Sequence, residues 1–339
     1  MRLVYSKEQT KAAIERRNNR CVPVCNGLWW GNGLAAKYGD ALEDLAQQFP
    51  EDICMAWYQG PGNELGTPQN PEYRYGYLDY SNARRHSIGQ SAVLLPNWDE
   101  LDVFLAHFPD PNEPDNFVGA REAVKKADGR YVLGCWWRLF HEWLWGVRGM
   151  ENLMLDYYDN MDGLKVLGRK VLEFYKVIIA RFAALGCDGI FTSDDLGHQR
   201  GPMMSPAVFE ALYFPLYQEV VTFTHQHGMH FFLHSCGDNT LLMEYLVAAG
   251  VDVFHPVQKG CMDMASTAHT WGGKISFLAG VDVQGLLVNA TPERVRAEVR
   301  EMKALFGKPG GLLLGMGNGI LPDSPLENIR AALDEMHAR

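Results

Sequence analysis

Eight short runs of apolar residues alternate with segments of helical periodicity along the chain. The runs are residues 21–25, 53–58, 131–139, 188–193, 229–234, 251–254, 274–278 and 311–314. Continuous apolar runs are typical of parallel strands that are buried on both faces. Eight strand–helix units predict an α/β protein with a (β/α)8 TIM barrel fold, and residues 7–17 predict a short N-terminal helix capped by Ser6. We expect residues 1–339 to form a single domain, with separate domains or a doubly wound sheet as the alternatives.

The alternation is interrupted between residues 59 and 98. Breaks at 61–63 and 68–71 contain Pro, Gly and Asn, and a tyrosine-rich run with alternating polarity follows at 73–80. Loops of this length within a compact domain are usually either functional or disordered, and a disordered loop contains fewer aromatic residues. We therefore expect a β-hairpin inserted as a lid over the barrel.

The composition excludes several classes of partner. A formal net charge of −10 and a pI near 5.6 argue against nucleic acid or an anionic membrane as the main partner. No run approaches the roughly 18 apolar residues of a membrane span, and the charged N-terminus lacks an apolar signal core, so a cytoplasmic location is expected. Seven scattered cysteines indicate reduced thiols and not a disulfide framework.

His234 and Cys236 follow three apolar residues and are spaced two apart, so in extended backbone both side chains leave one face of a strand. Imidazole nitrogen and thiolate sulfur are ligands that Zn²⁺ prefers, and a catalytic zinc takes three protein ligands with one position open. The alternative is that both residues are ordinary buried core residues.

Polar residues cluster just beyond the ends of the predicted strands, which is the catalytic rim of a barrel of this kind. They are Asn26, Glu142, Asp194, Asp195, Gln199, His234, Cys236, Gln258, Asp282, Gln284 and Asn318. Two adjacent carboxyls raise one another's pKa, so Asp194 or Asp195 can hold a proton for a departing group; the alternative is a helix cap. Residues expected to contact the substrate are Asn26, Trp30, Gln199, Gln258, Asp282, Gln284 and Asn318.

Tryptophans and one tyrosine lie at or beyond the ends of the first three strands. They are Trp29, Trp30, Trp57, Tyr58, Trp136, Trp137, Trp143 and Trp145. About half are expected to pack in the core, as large rings usually do. The others are expected to stack on an aromatic substrate or to hold a methylammonium group by cation–π attraction.

Four motifs in the second part of the chain resemble a known family. They are 234–238 (HSCGD), 249–258 (AGVDVFHPVQ), 280–284 (GVDVQ) and 322–329 (PDSPLENI). The motifs are similar to those of the uroporphyrinogen decarboxylase superfamily, most closely its corrinoid-dependent methyltransferase branch. The likeness extends from about residue 120 to the C-terminus.

The resemblance implies a zinc ion held by the His-x-Cys pair and by a later cysteine near the eighth strand. His234 and Cys236 match the pair, but Met316 and Asn318 stand where the later cysteine is expected. Replacement ligands are Glu142, Asp282 or Cys261, with Glu142 ranked first because its aromatic surroundings offer no charge partner. The pattern Asp194-Asp195-x-Gly197-x-Gln199 is similar to that of corrinoid O- and N-demethylases.

The resemblance implies a zinc-dependent methyltransferase that moves a methyl group from a methoxylated aromatic or methylamine donor to the Co(I) corrinoid (cobalamin) of a partner protein. Zinc, together with Asp194, Asp195 or Glu142, would polarise the leaving atom. The alternatives are a metal-free decarboxylase or lyase, and a non-catalytic binding protein. A decarboxylase of this superfamily meets its polyanionic substrate with an arginine-bearing loop after strand one, yet residues 26–33 contain no cation. Whether the chain forms a homodimer is left open by the sequence.

Overall fold

The apolar runs form a curled parallel sheet at the centre of the protein. A computed structural model describes residues 4–26, 33–60, 93–106 and 108–338. Its strands are β1 (Ile53–Trp57), β2 (Tyr131–Cys135), β3 (Gly189–Ser193), β4 (Gly197–His198), β5 (Gly201–Pro202), β6 (His230–His234), β7 (Val253–His255), β8 (Ser276–Val281) and β9 (Leu312–Met316). Seven of these strands pair in the order β1-β2-β3-β6-β7-β8-β9, and all of these pairs are parallel. The short strands β4 and β5 pair with each other as an antiparallel hairpin.

The predicted first strand, residues 21–25, is a single bridge between Val24 and Leu314. Cys25 N–H donates to the Leu314 carbonyl at 2.9 Å, and Asp52 N–H donates to the Val24 carbonyl at 3.2 Å. The strand stays short because Pro23 has no N–H, and because the buried Asp52 carboxylate accepts the Val24 N–H at 2.8 Å in place of a neighbouring strand. The described residues therefore define a curled sheet of seven strands, a half-barrel, and the closed eight-stranded barrel remains a prediction.

Helices connect the strands and cover the sheet. They are α1 (Lys7–Ile14), α2 (Leu34–Tyr38), α3 (Asp40–Gln48), α4 (Leu101–Ala106), α5 (Val118–Lys125), α6 (His141–Arg148), α7 (Met150–Asp159), α8 (Met161–Leu185), α9 (Pro206–Val208), α10 (Phe214–Gln226), α11 (Met243–Ala249), α12 (Met264–Trp271), α13 (Leu286–Asn289), α14 (Pro292–Phe306) and α15 (Leu326–Met336). A π-helical turn, Phe209–Tyr213, joins α9 to α10. None of the helices within the described ranges is both long and apolar enough to cross a membrane.

Local capping signals set several helix ends. Ser6 forms the capping box that begins α1, with its side chain accepting the Gln9 N–H. Gly250 ends α11 in the left-handed conformation, with φ +89°. The helical region over 150–185 is interrupted at Asn160, because the Asn160 side chain caps α8 by accepting the Gly163 N–H. The capping box at Ser6 confirms the predicted cap of the N-terminal helix.

The predicted lid, residues 59–98, lies largely outside the described residues, as do Trp29 and Trp30. At its two ends, Gln59 N–H donates to the Asn116 carbonyl at 2.9 Å, and Leu95 N–H donates to the Val147 carbonyl at 3.0 Å. These bonds attach the described ends of the segment to the rest of the fold.

Candidate metal centre at the carboxyl ends of the strands

His234 and Cys236 meet at the end of β6. His234 is the last residue of the strand and is buried, while half-buried Cys236 lies two residues beyond it. The His234 Nε2 and Cys236 Sγ atoms are 3.3 Å apart. The pairing with β7 continues past the strand, since Ser235 N–H donates to the His255 carbonyl at 2.9 Å. This extension keeps the backbone straight enough for both side chains to face the same space.

Asp195, from the loop after β3, completes a group of three possible metal ligands. Its Oδ1 accepts the Cys236 N–H at 2.8 Å and lies 3.6 Å from His234 Nε2. One ligand atom from each of Asp195, His234 and Cys236 lies within 4.8 Å of the other two. Nitrogen, sulfur and oxygen donors in this number suit a catalytic zinc that keeps an open coordination position. Asp195 and Cys236 are half-buried, so the group faces outward on one side.

Two glycines allow the loops of Asp195 and Cys236 to approach. Gly237 has φ +83°, and a methyl group on it would lie 2.2 Å from the Gly197 carbonyl carbon. A methyl group on Gly197 would in turn lie 2.8 Å from the Cys236 carbonyl oxygen. The buried Asn239 side chain holds the second loop by donating to the carbonyls of Ser235, Cys236 and Gly237 at 3.2, 3.1 and 3.3 Å. The two loops are therefore in direct backbone contact.

Burial favours the neutral imidazole of His234 and the protonated thiol of Cys236. Burial lowers the pKa of His234, and the charge of Asp195 opposes this effect. Burial, followed by the charge of Asp195, raises the pKa of the Cys236 thiol. A divalent cation at this position would favour the thiolate and offset the charge of Asp195.

Asp194 caps α6. Its carboxylate accepts the backbone N–H groups of Phe140, His141 and Glu142 at 3.2, 3.1 and 2.8 Å, and the Tyr217 hydroxyl at 2.7 Å. Burial raises its pKa to about 6, although the four hydrogen bonds act in the opposite direction. The structure thus gives Asp194 the capping role that the sequence left as an alternative, while its role as an acid remains a prediction.

Glu142, in the first turn of α6, is placed by this cap. Ser193 Oγ donates a hydrogen bond to Glu142 Oε2. Burial raises the pKa of Glu142 well above its usual value, and the charges of Asp195 and Asp194 raise it further. This shift favours the protonated, neutral form of the Glu142 carboxyl. The Glu142 oxygens are not in the group of three ligand atoms. The third atom of the group comes from Asp195, whereas the sequence analysis ranked Glu142 first for that position.

The other two predicted replacement ligands, Asp282 and Cys261, are also outside the group of three. Asp282 begins α13, because its carboxylate accepts the N–H groups of Gln284, Gly285 and Leu286 at 2.9, 3.2 and 2.9 Å. Cys261 lies in the turn after β7, where its N–H donates to the Gln258 carbonyl at 3.1 Å.

Two predicted substrate-contacting residues lie against the cluster. Gln258 Oε1 accepts the Gly237 N–H at 2.6 Å. Asn318 Nδ2 donates to Cys236 Sγ at 3.4 Å, and this contact lowers the pKa of the thiol. Both side chains therefore support the Cys236 loop, whether or not they also contact a substrate.

The remaining predicted substrate-contacting residues have other surroundings. Gln199 is exposed at the β4–β5 turn, and Gln284 is exposed at the start of α13. Asn26 is buried, with its N–H donating to Glu51 at 2.5 Å and its Nδ2 lying 3.6 Å from Met336 Sδ of α15. Trp30 lies outside the described residues. A substrate role for these four residues stays a prediction.

The aromatic residues divide between core and site. Trp136, Trp143 and Tyr58 are fully buried and pack in the core. Half-buried Trp137 lies edge-on to His234, with ring centroids 5.9 Å apart, and its ring contacts that of Trp57 at 5.4 Å. Trp137 therefore lies beside the cluster, and together with Trp57, which packs against it, it forms an aromatic wall there.

The sequence reasoning did not assign His255 to the site, but in the structure its ring contacts that of His234. His255 ends β7 as His234 ends β6, and the two are directly paired in the parallel register. The distance between His234 Nδ1 and His255 Nδ1 is 2.7 Å. The signal in the sequence was that two successive apolar runs each end in a histidine. Equivalent positions of neighbouring parallel strands face the same side of the sheet.

Comparison with known proteins places the chain in a family. The family model described as Uroporphyrinogen decarboxylase (URO-D) matches residues 134–339, which is more than half of the chain. The chain belongs to the uroporphyrinogen decarboxylase family. This membership confirms the superfamily resemblance that the motifs at 234–238 and 280–284 indicated.

Individual relatives of this family member carry two different names. A methylated-thiol–coenzyme M methyltransferase of Methanosarcina mazei is 32% identical over 105 residues, which cover 29% of this chain and 25% of that protein. A uroporphyrinogen decarboxylase of Psychromonas ingrahamii is 37% identical over 76 residues, covering 22% of this chain and 21% of that protein. The alignments thus span about a quarter or less of each relative.

One solved structure matches the fold along nearly the whole chain. It is a methyltransferase from Methanosarcina mazei, with a TM-score of 0.68, 16% sequence identity and coverage of 98% of both chains. At this identity the match establishes the shared fold.

The contact between the two glycine loops generates a prediction. Gly237→Ala forces a side chain into the Gly197 backbone and into an unfavourable left-handed conformation, which alone costs about 1–2 kcal/mol. We expect this variant to have a lower free energy of unfolding in urea than the wild type. Gly129→Ala is the matched control, since Gly129 also has positive φ but has open space around it. A free energy of unfolding no lower in Gly237→Ala than in Gly129→Ala would contradict the contact between the two loops.

Proposed function

We propose that this chain is a zinc-dependent methyltransferase that moves a methyl group from a small methylated donor to the Co(I) corrinoid of a partner protein. The observation that carries the proposal is the convergence of Asp195, His234 and Cys236 at the carboxyl ends of β3 and β6. A family whose relatives include a methyltransferase provides the context.

Asp195, His234 and Cys236 would hold the zinc ion. When bound, zinc supplies Lewis acidity at the leaving atom of the methyl donor. The acidic surroundings fit a cation, because the charge of Asp195 raises the pKa of both the Glu142 carboxyl and the Cys236 thiol.

Glu142 is proposed as the general acid. The methyl carbon would form its new bond with an electron pair of the Co(I) of the partner's corrinoid as its bond to the leaving oxygen or nitrogen breaks. The electron pair of the broken bond stays on the leaving atom, which takes the proton of the Glu142 carboxyl. Burial raises the pKa of this carboxyl, and a raised pKa is what a carboxylic acid needs to donate a proton near neutral pH. Asp194 fixes the backbone from which Glu142 projects.

Trp137 and Trp57 are proposed to receive the donor. Their rings pack against each other beside His234. A flat methoxylated ring would stack there, and a methylammonium group would be held by cation–π attraction. The methyl carbon would then lie between this wall and the open side of the cluster, where a corrinoid domain has access.

The metal-free decarboxylase is the second candidate, and relatives of that name give it a basis. The described rim argues against a polyanionic substrate. Half-buried Asp195 presents a carboxylate in the loop after β3, and the chain carries a net charge of −10. Such a surface would repel a substrate with several carboxylates.

The proposed ligand set is tested by zinc content after substitution. We expect about one zinc per purified chain in the wild type and none in His234→Ala or Cys236→Ala. In Asp195→Asn we expect the zinc affinity to fall by at least about 100-fold, which exceeds the effect of outer partners of a metal site. Cys261→Ala is the matched control and should retain zinc, because Cys261 lies outside the group of three. Zinc loss in Glu142→Gln with retention in Asp195→Asn would show that the third ligand is assigned to the wrong carboxylate.

The role of Glu142 is tested by methyl transfer to a reduced corrinoid. With a panel of methoxylated aromatics and methylamines, methyl-cobalt absorbance reports turnover. Glu142→Gln should lower the rate by about 100-fold or more, as removal of a general acid does, while retaining zinc. Full activity in this variant would exclude the acid role, and inactivity of the zinc-loaded wild type with every donor would argue against the methyltransferase proposal.

A further inference from the structure

His255 connects His234 to a backbone carbonyl at the end of β9. It is completely buried at the end of β7, and its ring centroid lies 4.9 Å from that of His234. Its Nδ1 faces His234 Nδ1 at 2.7 Å, and its Nε2 faces the Met316 carbonyl at 2.9 Å. His255 therefore bridges β6 and the end of β9.

The carbonyl oxygen of Met316 can accept a hydrogen bond but cannot donate one. The proton in its hydrogen bond with His255 therefore belongs to His255 Nε2. The carbonyl is held in place, since the following residue, Gly317, donates its N–H to the Val281 carbonyl at 2.9 Å. The ring of His255 is completely buried, and an unneutralised charge is costly in such surroundings, so the neutral ring is the favoured form.

A neutral imidazole carries one ring proton, so the role of each remaining nitrogen follows. With its proton on Nε2, His255 accepts at Nδ1, and His234 must donate from its own Nδ1. The Nε2 of a neutral His234 then carries a lone pair. This nitrogen is the one that lies 3.3 Å from Cys236 Sγ and 3.6 Å from Asp195 Oδ1.

We infer that His255 is a positioning residue that fixes the tautomer of His234, so that Nε2 of His234 is prepared as a metal ligand before any metal arrives. This inference rests on the zinc site of the proposed function. Hydrogen bonding at the second ring nitrogen of a metal-binding histidine orients the ring and increases its basicity. Here the second nitrogen is served by another histidine, whose own proton is directed by a main-chain carbonyl.

The tautomers are directly measurable in the apoprotein. In a long-range ¹H–¹⁵N correlation spectrum of the labelled full chain, His234 should show a protonated Nδ1 and an unprotonated Nε2, and His255 the reverse. His234→Gln and His255→Gln assign the two signals among the 11 histidines. A proton on Nε2 of His234 in the wild type would overturn the inference, and this readout requires no variant to be active.

Zinc affinity provides the second readout, by competition with a chromophoric chelator. His255→Phe keeps a buried ring but removes the acceptor, and should weaken zinc binding by about 10–100-fold, the range for outer partners of metal sites. His255→Gln can accept and donate as His255 does, and should restore most of the affinity. Far-ultraviolet circular dichroism verifies that the variants are folded.

The outcomes separate the two proposals. Unchanged zinc affinity in a folded His255→Phe, with zinc bound by the wild type, would overturn the role of His255 and leave the proposed function intact. A wild type that binds no zinc would overturn the zinc site itself, and with it the role of His255 as a positioning residue.

Discussion

The register of three adjacent parallel strands is the constraint on which the rest of the site depends. Ser193 pairs with His234, and His234 pairs with His255, so three polar side chains occupy one row at the ends of β3, β6 and β7. Ser193 donates to Glu142, and His234 meets Cys236, while His255 supports His234. A shift of one residue in either pairing would turn these side chains to the opposite face of the sheet.

The carboxyl groups next to this row are buried with it. Burial raises the pKa of Asp194 and of Glu142. The two acids differ in their partners. Asp194 accepts four hydrogen bonds and acts as a helix cap, whereas Glu142 has the hydroxyl of Ser193. Asp195 is the half-buried carboxylate that faces the imidazole and the thiol, and it is the acid of the three that we propose as a metal ligand.

Local sequence patterns were sufficient for much of this description. The period of two predicted that His234 and Cys236 would face the same space, and apolar runs located the seven paired strands to within a few residues. The capping residue Ser6 predicted the start of the first helix, because a cap acts within one turn of the backbone. The family motifs at 234–238 and 280–284 lie at the ends of β6 and β8.

Features that depend on distant parts of the chain were not predictable in this way. The choice of Asp195 over Glu142 in the group of three depends on two loops that touch at Gly197 and Gly237, 40 residues apart in sequence. The first strand was overestimated because the Asp52 side chain competes for the Val24 N–H, which an apolar pattern does not reveal. The role of His255 depends on the Met316 carbonyl, which lies on a strand that is not its neighbour.

The central claim is that one imidazole, one thiolate and one carboxylate hold a zinc ion at the end of β6. X-ray absorption at the zinc edge of the purified protein measures these bonds directly. The account predicts one sulfur at about 2.3 Å together with nitrogen and oxygen at about 2.0–2.2 Å. A zinc environment with no sulfur, or with two, would contradict it.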